Sequence, residues 1–278
     1  MLLTPRYDVP SFLRLDVPLG DPAEPLLRQR RRLAALLAGL EEDQWAAASR
    51  CEAWSVRDVI AHLVTTNQFW AFSIEAALGG TPTRFLASFD PVTSPIELVD
   101  ASRSQSSADV LEQFVETNEA IAAAVAGIDH DGWSTIGEAP PGHVPLRALA
   151  LHALWDAWTH ERDIVLPLGL TPVEEPDEVT GCLGYGAALS PAFVVAGGST
   201  RVGSIEVEAT SPDVRFVVEV GESVVVHDGD APSDALRLTG PAIELVEALS
   251  FRVPMPCSVP DERRWLLSGL AEVFDRET

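Results

Sequence analysis

The sequence predicts an α+β protein: a bundle of four helices followed by a smaller unit of sheet and helices. Apolar residues recur at helical spacing in four long stretches before Pro167, whereas past Gly197-Gly198 the period switches to strict alternation. Gly and Pro clusters fall between the stretches, where the chain must turn.

The first helix is expected over residues 23–40, where Leu26, Leu27, Leu33, Leu36, Leu37 and Leu40 share a face. Arg28, Arg30, Arg31 and Arg32 lie among them and read as a solvated helix face, with an anion site as the alternative. Ser55 is placed to cap a second helix over 56–78 that buries Val59, Ile60, Leu63 and Val64. Gly79-Gly80 and the stretch 82–95 read as a loop. A third helix is expected over 108–126, stopped by Gly127, and Pro140-Pro141-Gly142 makes a turn. The fourth helix, 146–165, ends before Pro167. The segment 172–176 reads as a linker, so the chain divides into a bundle domain, 1–172, and a second domain, 173–278. That second domain opens with a helix over 177–196. Strands follow at 205–209, 214–220, 223–227 and 235–238, then helices starting at Pro241 and Asp261.

With 278 residues and 46% hydrophobic content, a packed interior is affordable. The net charge of −23, from 19 basic and 42 acidic residues, argues against nucleic acid and against an anionic membrane surface as partners. All the basic residues are arginine, which removes lysine chemistry and has the look of a high-GC source. Cys51, Cys182 and Cys257 give neither a disulfide framework nor a Cys-x-x-Cys zinc site. The opening residues lack the apolar core of a signal peptide, and no apolar run reads as membrane-spanning, so a reduced cytoplasm is expected.

Among six histidines, His130, His143 and His227 fall in turns or at a strand end and read as surface residues. His62, His152 and His160 sit inside apolar helices, where a polar ring needs a partner. In the fourth helix His152, Asp156 and His160 recur at intervals of four, each about 6 Å further along the axis. Neighbours in that stripe can share one ion. With His62 facing them from the second helix, two imidazoles and a carboxylate leave a fourth position open, as in a catalytic zinc site. The alternative stays open that Asp156 merely orients a histidine and that His62 is a satisfied core residue. Trp54, Trp155 and Trp158 read as core.

The run Cys51 to Leu63, Cys-Glu-Ala-Trp-Ser-Val-Arg-Asp-Val-Ile-Ala-His-Leu, resembles the signature of the mycothiol-dependent maleylpyruvate isomerase family of DinB-like metalloenzymes. The run Asp156-Ala-Trp-Thr-His160-Glu161-Arg-Asp163 resembles that family's second signature, Glu-x-x-x-His-Glu-x-Asp. Residues 202–238 resemble its sterol-carrier-like C-terminal domain, and Leu249-Ser-Phe-Arg252 its usual close. The resemblance implies a DinB-like four-helix bundle and a divalent metal, zinc or nickel, on His62, Asp156 and His160. Asp156 stands where the family usually has Glu, one methylene shorter. Mycothiol, the small thiol of actinobacteria, would be the co-substrate, and a small electrophilic molecule, neutral or anionic, the substrate of a transferase or isomerase. Arg252 would bind a substrate carboxylate. Glu161 and Asp163 would hold His160 or act as a base, or be plain surface acids. Asp58 would orient the His62 ring or complement the helix dipole. A different DinB-like reaction, or a non-catalytic metal or lipid carrier, remains a reading. A monomer or homodimer fits either.

Overall fold

The computed structural model describes residues 3–17 and 20–274. A short strand β1 (Leu13–Leu15) precedes α1 (Ala23–Leu37), the one-turn α2 (Glu42–Trp45), α3 (Val56–Leu78), α4 (Thr93–Ala101), α5 (Ser107–Val125) and α6 (Leu146–Val165). The bundle consists of α1, α3, α5 and α6; α1 and α3 each pack against both α5 and α6. Its helices start where side chains satisfy the first free backbone N–H groups. Ser55 and Asp58 form a reciprocal capping box on α3, and Ser106 and Asp109 do the same on α5. Asp58 is therefore a capping residue, bonded to the Ser55 backbone N–H and hydroxyl.

The arginine-rich face of α1 is not solvated as expected. Only Arg31 is well exposed, paired with Glu24. Arg32 holds both Glu161 and Glu178, Arg28 holds Asp177 and Glu178, and Arg30 is buried. Helical period located these residues but could not show that another helix covers them.

Within the expected loop 82–95 a 3-10 turn forms at Phe85–Ser88 and α4 begins at Thr93. The Pro140-Pro141 turn closes a hairpin of β2 (Ile136–Ala139) and β3 (Gly142–Pro145). His143, expected at the surface, is buried there: its Nε2 lies 2.8 Å from the Thr83 carbonyl.

The second part contains α7 (Pro176–Ala196), β4 (Gly203–Thr210), β5 (Val214–Val220), β6 (Val224–His227), β7 (Leu236–Pro241), α8 (Ala242–Leu249) and α9 (Trp265–Val273). The five-stranded sheet has order β1-β6-β5-β4-β7, with β1 parallel to β6 and β4 parallel to β7. One edge strand thus comes from ahead of the bundle, across the anticipated division at 172. A continuous apolar core joins Leu149, Leu154 and Trp158 of α6 to Tyr185 and Leu189 of α7 and to Val207, Val218 and Leu245. Side chains fill the space between sheet and helices: Ile205, Phe216, Leu238 and Leu270 are all buried there. Helix α7 is long and apolar enough to cross a membrane, unlike any run expected from the sequence, yet most of it is buried within the fold.

The N-terminal segment is pinned at Gly142. Arg6 donates its N–H to the Pro141 carbonyl and accepts from the His143 N–H, with Gly142 at φ +135° between them. A Cβ at Gly142 would lie 2.2 Å from the Arg6 carbonyl oxygen. Gly142→Ala is expected to cost about 2 kcal/mol or more. Urea unfolding measures it, and an unchanged midpoint would contradict this account of the segment.

Candidate metal centre

Helix α6 is the axis of the site. Of its 20 residues only Arg147, Asp156 and His160 escape full burial, so the two expected ligands mark an opening in an otherwise sealed helix. The capping box of α3 starts that helix at Val56 and brings His62 round to face them. The His62 and His160 ring centroids are 5.1 Å apart, nearly edge to face, and Trp54 lies over His62 at 5.2 Å. Nitrogens of His62 and His160 and an oxygen of Asp156 all fall within 4.8 Å of one another.

Two details favour a cation among these three groups. Oδ2 of Asp156 is buried and has no hydrogen-bond partner, which is costly for a carboxylate oxygen. Oδ1 of Asp156 stands 3.6 Å from His160 Nε2, long for a hydrogen bond. Ligands about 2.0 Å from a tetrahedral ion sit about 3.3 Å apart, close to the 3.6 Å between Asp156 Oδ1 and His160 Nε2.

His160 is held from behind. Its Nδ1 donates to Asp163 Oδ2 at 3.1 Å, which leaves Nε2 turned toward His62 and Asp156. Asp163 has no exposed surface. Its carboxylate accepts from Arg252 at 2.8 and 2.7 Å, from Arg50 at 3.0 Å and from the Cys51 thiol at 3.2 Å. Burial works against its charge, but the hydrogen bonds and charges of His160 and Arg252 outweigh that and hold it well below the carboxylate range.

Cys51, His160 and Asp163 form a second group with ligand-like spacing. It is the poorer cation site, because both Asp163 oxygens are already engaged by guanidinium groups that repel a metal ion. Burial opposes a proton on His160, but Cys51, Asp163 and Asp156 outweigh it and push the imidazole up to about 10. The same surroundings that favour an imidazolium favour a divalent ion in the proton's place. His62 is driven the other way, down to about 4, by burial and by the charge of His160. It is the neutral imidazole that ligation needs.

Glu161, weighed as a base or a surface acid, is neither placed at the triad nor exposed. Both its oxygens bind Arg32, and Gln29 adds a third bond at 3.0 Å. Asp163, weighed the same way, is the residue that holds His160. Arg252 does reach the bundle, but two of its nitrogens are spent on Asp163 and the third donates to the Ser250 carbonyl. His152, the lower member of the stripe, turns away: its Nδ1 lies 2.5 Å from the Tyr185 hydroxyl oxygen, among Trp70, Trp155 and Tyr185. Trp155 and Trp158 are core, while Trp54 is only partly buried. The roles of Arg50 and Glu247 had no sequence signal, since their partners lie 85 or more residues away.

The family model described as mycothiol maleylpyruvate isomerase N-terminal domain matches residues 26–165. Among solved structures, the crystal structure of a mycothiol-dependent maleylpyruvate isomerase superposes with a TM-score of 0.61 at 15% identity, covering 91% of this chain and 98% of that one. A histidine-to-alanine mutant of a mycothiol-dependent maleylpyruvate isomerase does so with the same score at 14% identity, again covering 91% and 98%. Comparison with curated protein sequences finds no match.

Glu161→Gln should destabilise the fold by about 3 kcal/mol, by leaving Arg32 with a weakened partner, without altering metal content. Loss of metal with stability intact would instead put Glu161 in the centre. A pH profile separates the histidines. His152, also held near 4 by burial, stays neutral while an unfolded histidine titrates at about 6.5. The unfolded chain then binds more protons between those values, so His62 and His152 make stability fall as pH drops from about 6.5 to about 4. The raised His160 contributes stability that is full below about 6.5 and lost as pH rises toward 10. In chelator-treated protein, His152→Gln should flatten the acid limb and spare the alkaline one. Equal flattening of both limbs would refute this assignment.

Proposed function

The chain belongs to the mycothiol maleylpyruvate isomerase family, and on that premise we propose a metal-dependent enzyme that activates a small thiol and adds it to a small electrophilic acid. The carrying observation is the partnerless, buried Oδ2 of Asp156 beside His62 and His160, where the middle of α6 loses its full burial. His62, Asp156 and His160 would hold the ion, zinc by donor set, with nickel compatible. A divalent ion there supplies the Lewis acidity that turns a thiol into a thiolate at neutral pH.

The chain's own residues do the rest. Asp163 takes the Nδ1 proton of His160 into a hydrogen bond and fixes which ring nitrogen faces the ion. Arg252 and Arg50 hold Asp163 in place behind the His160 ring. Trp54 covers His62 and limits water there. The thiolate sulfur would bond to an unsaturated carbon of the substrate as the C=C π pair moves onto the conjugated carbonyl. If the resulting enolate takes a proton and the sulfur stays, the reaction is a transfer; if, after rotation about the new single bond, the enolate pair re-forms C=C and expels the thiolate, it is an isomerisation. By the two solved structures' names, mycothiol and maleylpyruvate are the first thiol and acid to try. A carrier of apolar ligands is disfavoured because side chains fill the sheet unit's interior. The proposed setting is the cytoplasm, where a reduced thiol pool is available.

Metal analysis should find near-stoichiometric metal in the purified parent and none in His62→Ala, Asp156→Ala and His160→Ala. Turnover should require both metal and added thiol, and stop with chelator. Metal-dependent turnover without thiol would favour another reaction at the same centre. A metal-free parent, indifferent to the three substitutions, would end the metalloenzyme reading.

A further inference from the structure

Arg252 lies on the segment that follows α8, 87 positions beyond the end of α6 at Val165, and that segment is built to reach back. Phe251 adopts φ +57°, a left-handed conformation that a bulky residue seldom takes. The turn is closed by the Arg252 N–H donating to the Glu247 carbonyl at 2.8 Å. Strain of this kind persists where surrounding contacts enforce it, and it gathers at functional places. Here the contacts lie on both sides of the bend. Trp155, next to Asp156 on α6, donates to the Ser250 hydroxyl at 3.0 Å. The Glu247 carboxylate takes Arg162 of α6 at 2.9 Å and Arg50 at 2.8 Å. The guanidinium of Arg252 then closes on Asp163 with two parallel bonds, Nε to Oδ1 and Nη2 to Oδ2.

We propose that Arg252 is a positioning residue of the metal centre, acting through Asp163 on His160, so that the centre is complete only with the segment after α8 docked on α6. One planar fork bonded to both oxygens of a carboxylate fixes its rotation as separate single-point donors do not. Arg252 grips both, and so fixes the Oδ2 that receives the His160 Nδ1 proton at 3.1 Å. The imidazole then presents Nε2 in one direction, toward Asp156 Oδ1. Arg50 and Cys51 bind Asp163 too, but each at one oxygen only. The second part of the chain thereby contributes to metal binding without contributing a ligand. This role differs from a contact with substrate, for which Arg252 has little hydrogen-bonding capacity left. The inference rests on the reading that His62, Asp156 and His160 hold a metal.

The test uses full-length Arg252→Met, Arg252→Lys, Asp163→Asn and the Met/Asn double variant. Zinc affinity is read by chelator competition and ligand geometry by the visible spectrum of the cobalt-substituted protein. Arg252→Met and Asp163→Asn should each weaken zinc binding about 10- to 100-fold, the usual effect of removing a ligand's orienting partner. Both should change the cobalt spectrum, and the double variant should lose little more than either alone. Arg252→Lys, which keeps the charge but not the two-pronged grip, should fall between; it also carries the test if Arg252→Met does not fold. Parent-like zinc affinity and cobalt spectrum in folded Arg252 variants, with only a raised substrate KM or lower stability, would overturn the proposal. A parent that binds no zinc would overturn it together with the reading it rests on, and the parent measurement alone reveals that case.

Discussion

Asp163 keeps a full negative charge with none of its surface exposed, and a charge so placed survives only among partners. Its partners come from separate parts of the chain. Arg50 and Cys51 lie in the loop before α3, His160 sits one turn back on α6, and Arg252 follows α8. Gathering them sets where that loop runs, how α6 is rotated and where the second part of the chain docks. Glu247 extends the same lattice by bridging Arg50 and Arg162. The proposed ligand triad stands on the far side of the His160 ring from this lattice, so its geometry depends on a network that shares only His160 with it.

The −23 net charge gives little sign of this arrangement. Many of the arginines are used inside the protein, each against acids from another element: Arg28 and Arg32 with α7 and Glu161, and Arg50, Arg162 and Arg252 around Asp163 and Glu247. Arg30 is the exception. Its buried guanidinium bonds only neutral acceptors, Asn67 and the Leu26 and Ala153 carbonyls, and burial pulls it down to about 10. Arginine suits these places because its planar fork meets carboxylates with parallel bonds and stays charged when buried.

Much of the fold was legible because it rests on local rules. Ser55 and Asp58 mark the start of α3, Gly79-Gly80 its end, and alternation marks β4 and β5. The intervals of four linking Asp156 to His160 are also local, so the stripe could be read. What escaped is set by distant contacts. β1 has three residues and becomes a strand only by pairing with β6. His143 reads as a turn residue until Thr83 and Tyr7 cover it. Glu161 and Asp163 sit two apart on α6 and face different partners, Arg32 and Arg252. A helix buried nearly all round gives no amphipathic pattern from which to tell them apart.

The proposed metal has nitrogen and oxygen ligands and stays open to sulfur from a thiol substrate. X-ray absorption at the metal edge, recorded with and without added mycothiol, tests this most directly. Only light nitrogen and oxygen neighbours are expected before thiol is added, and one new sulfur neighbour at about 2.3 Å afterwards. Sulfur already bound in the absence of thiol would place the ion on Cys51 instead. No sulfur after saturation with thiol would contradict thiol activation at this centre.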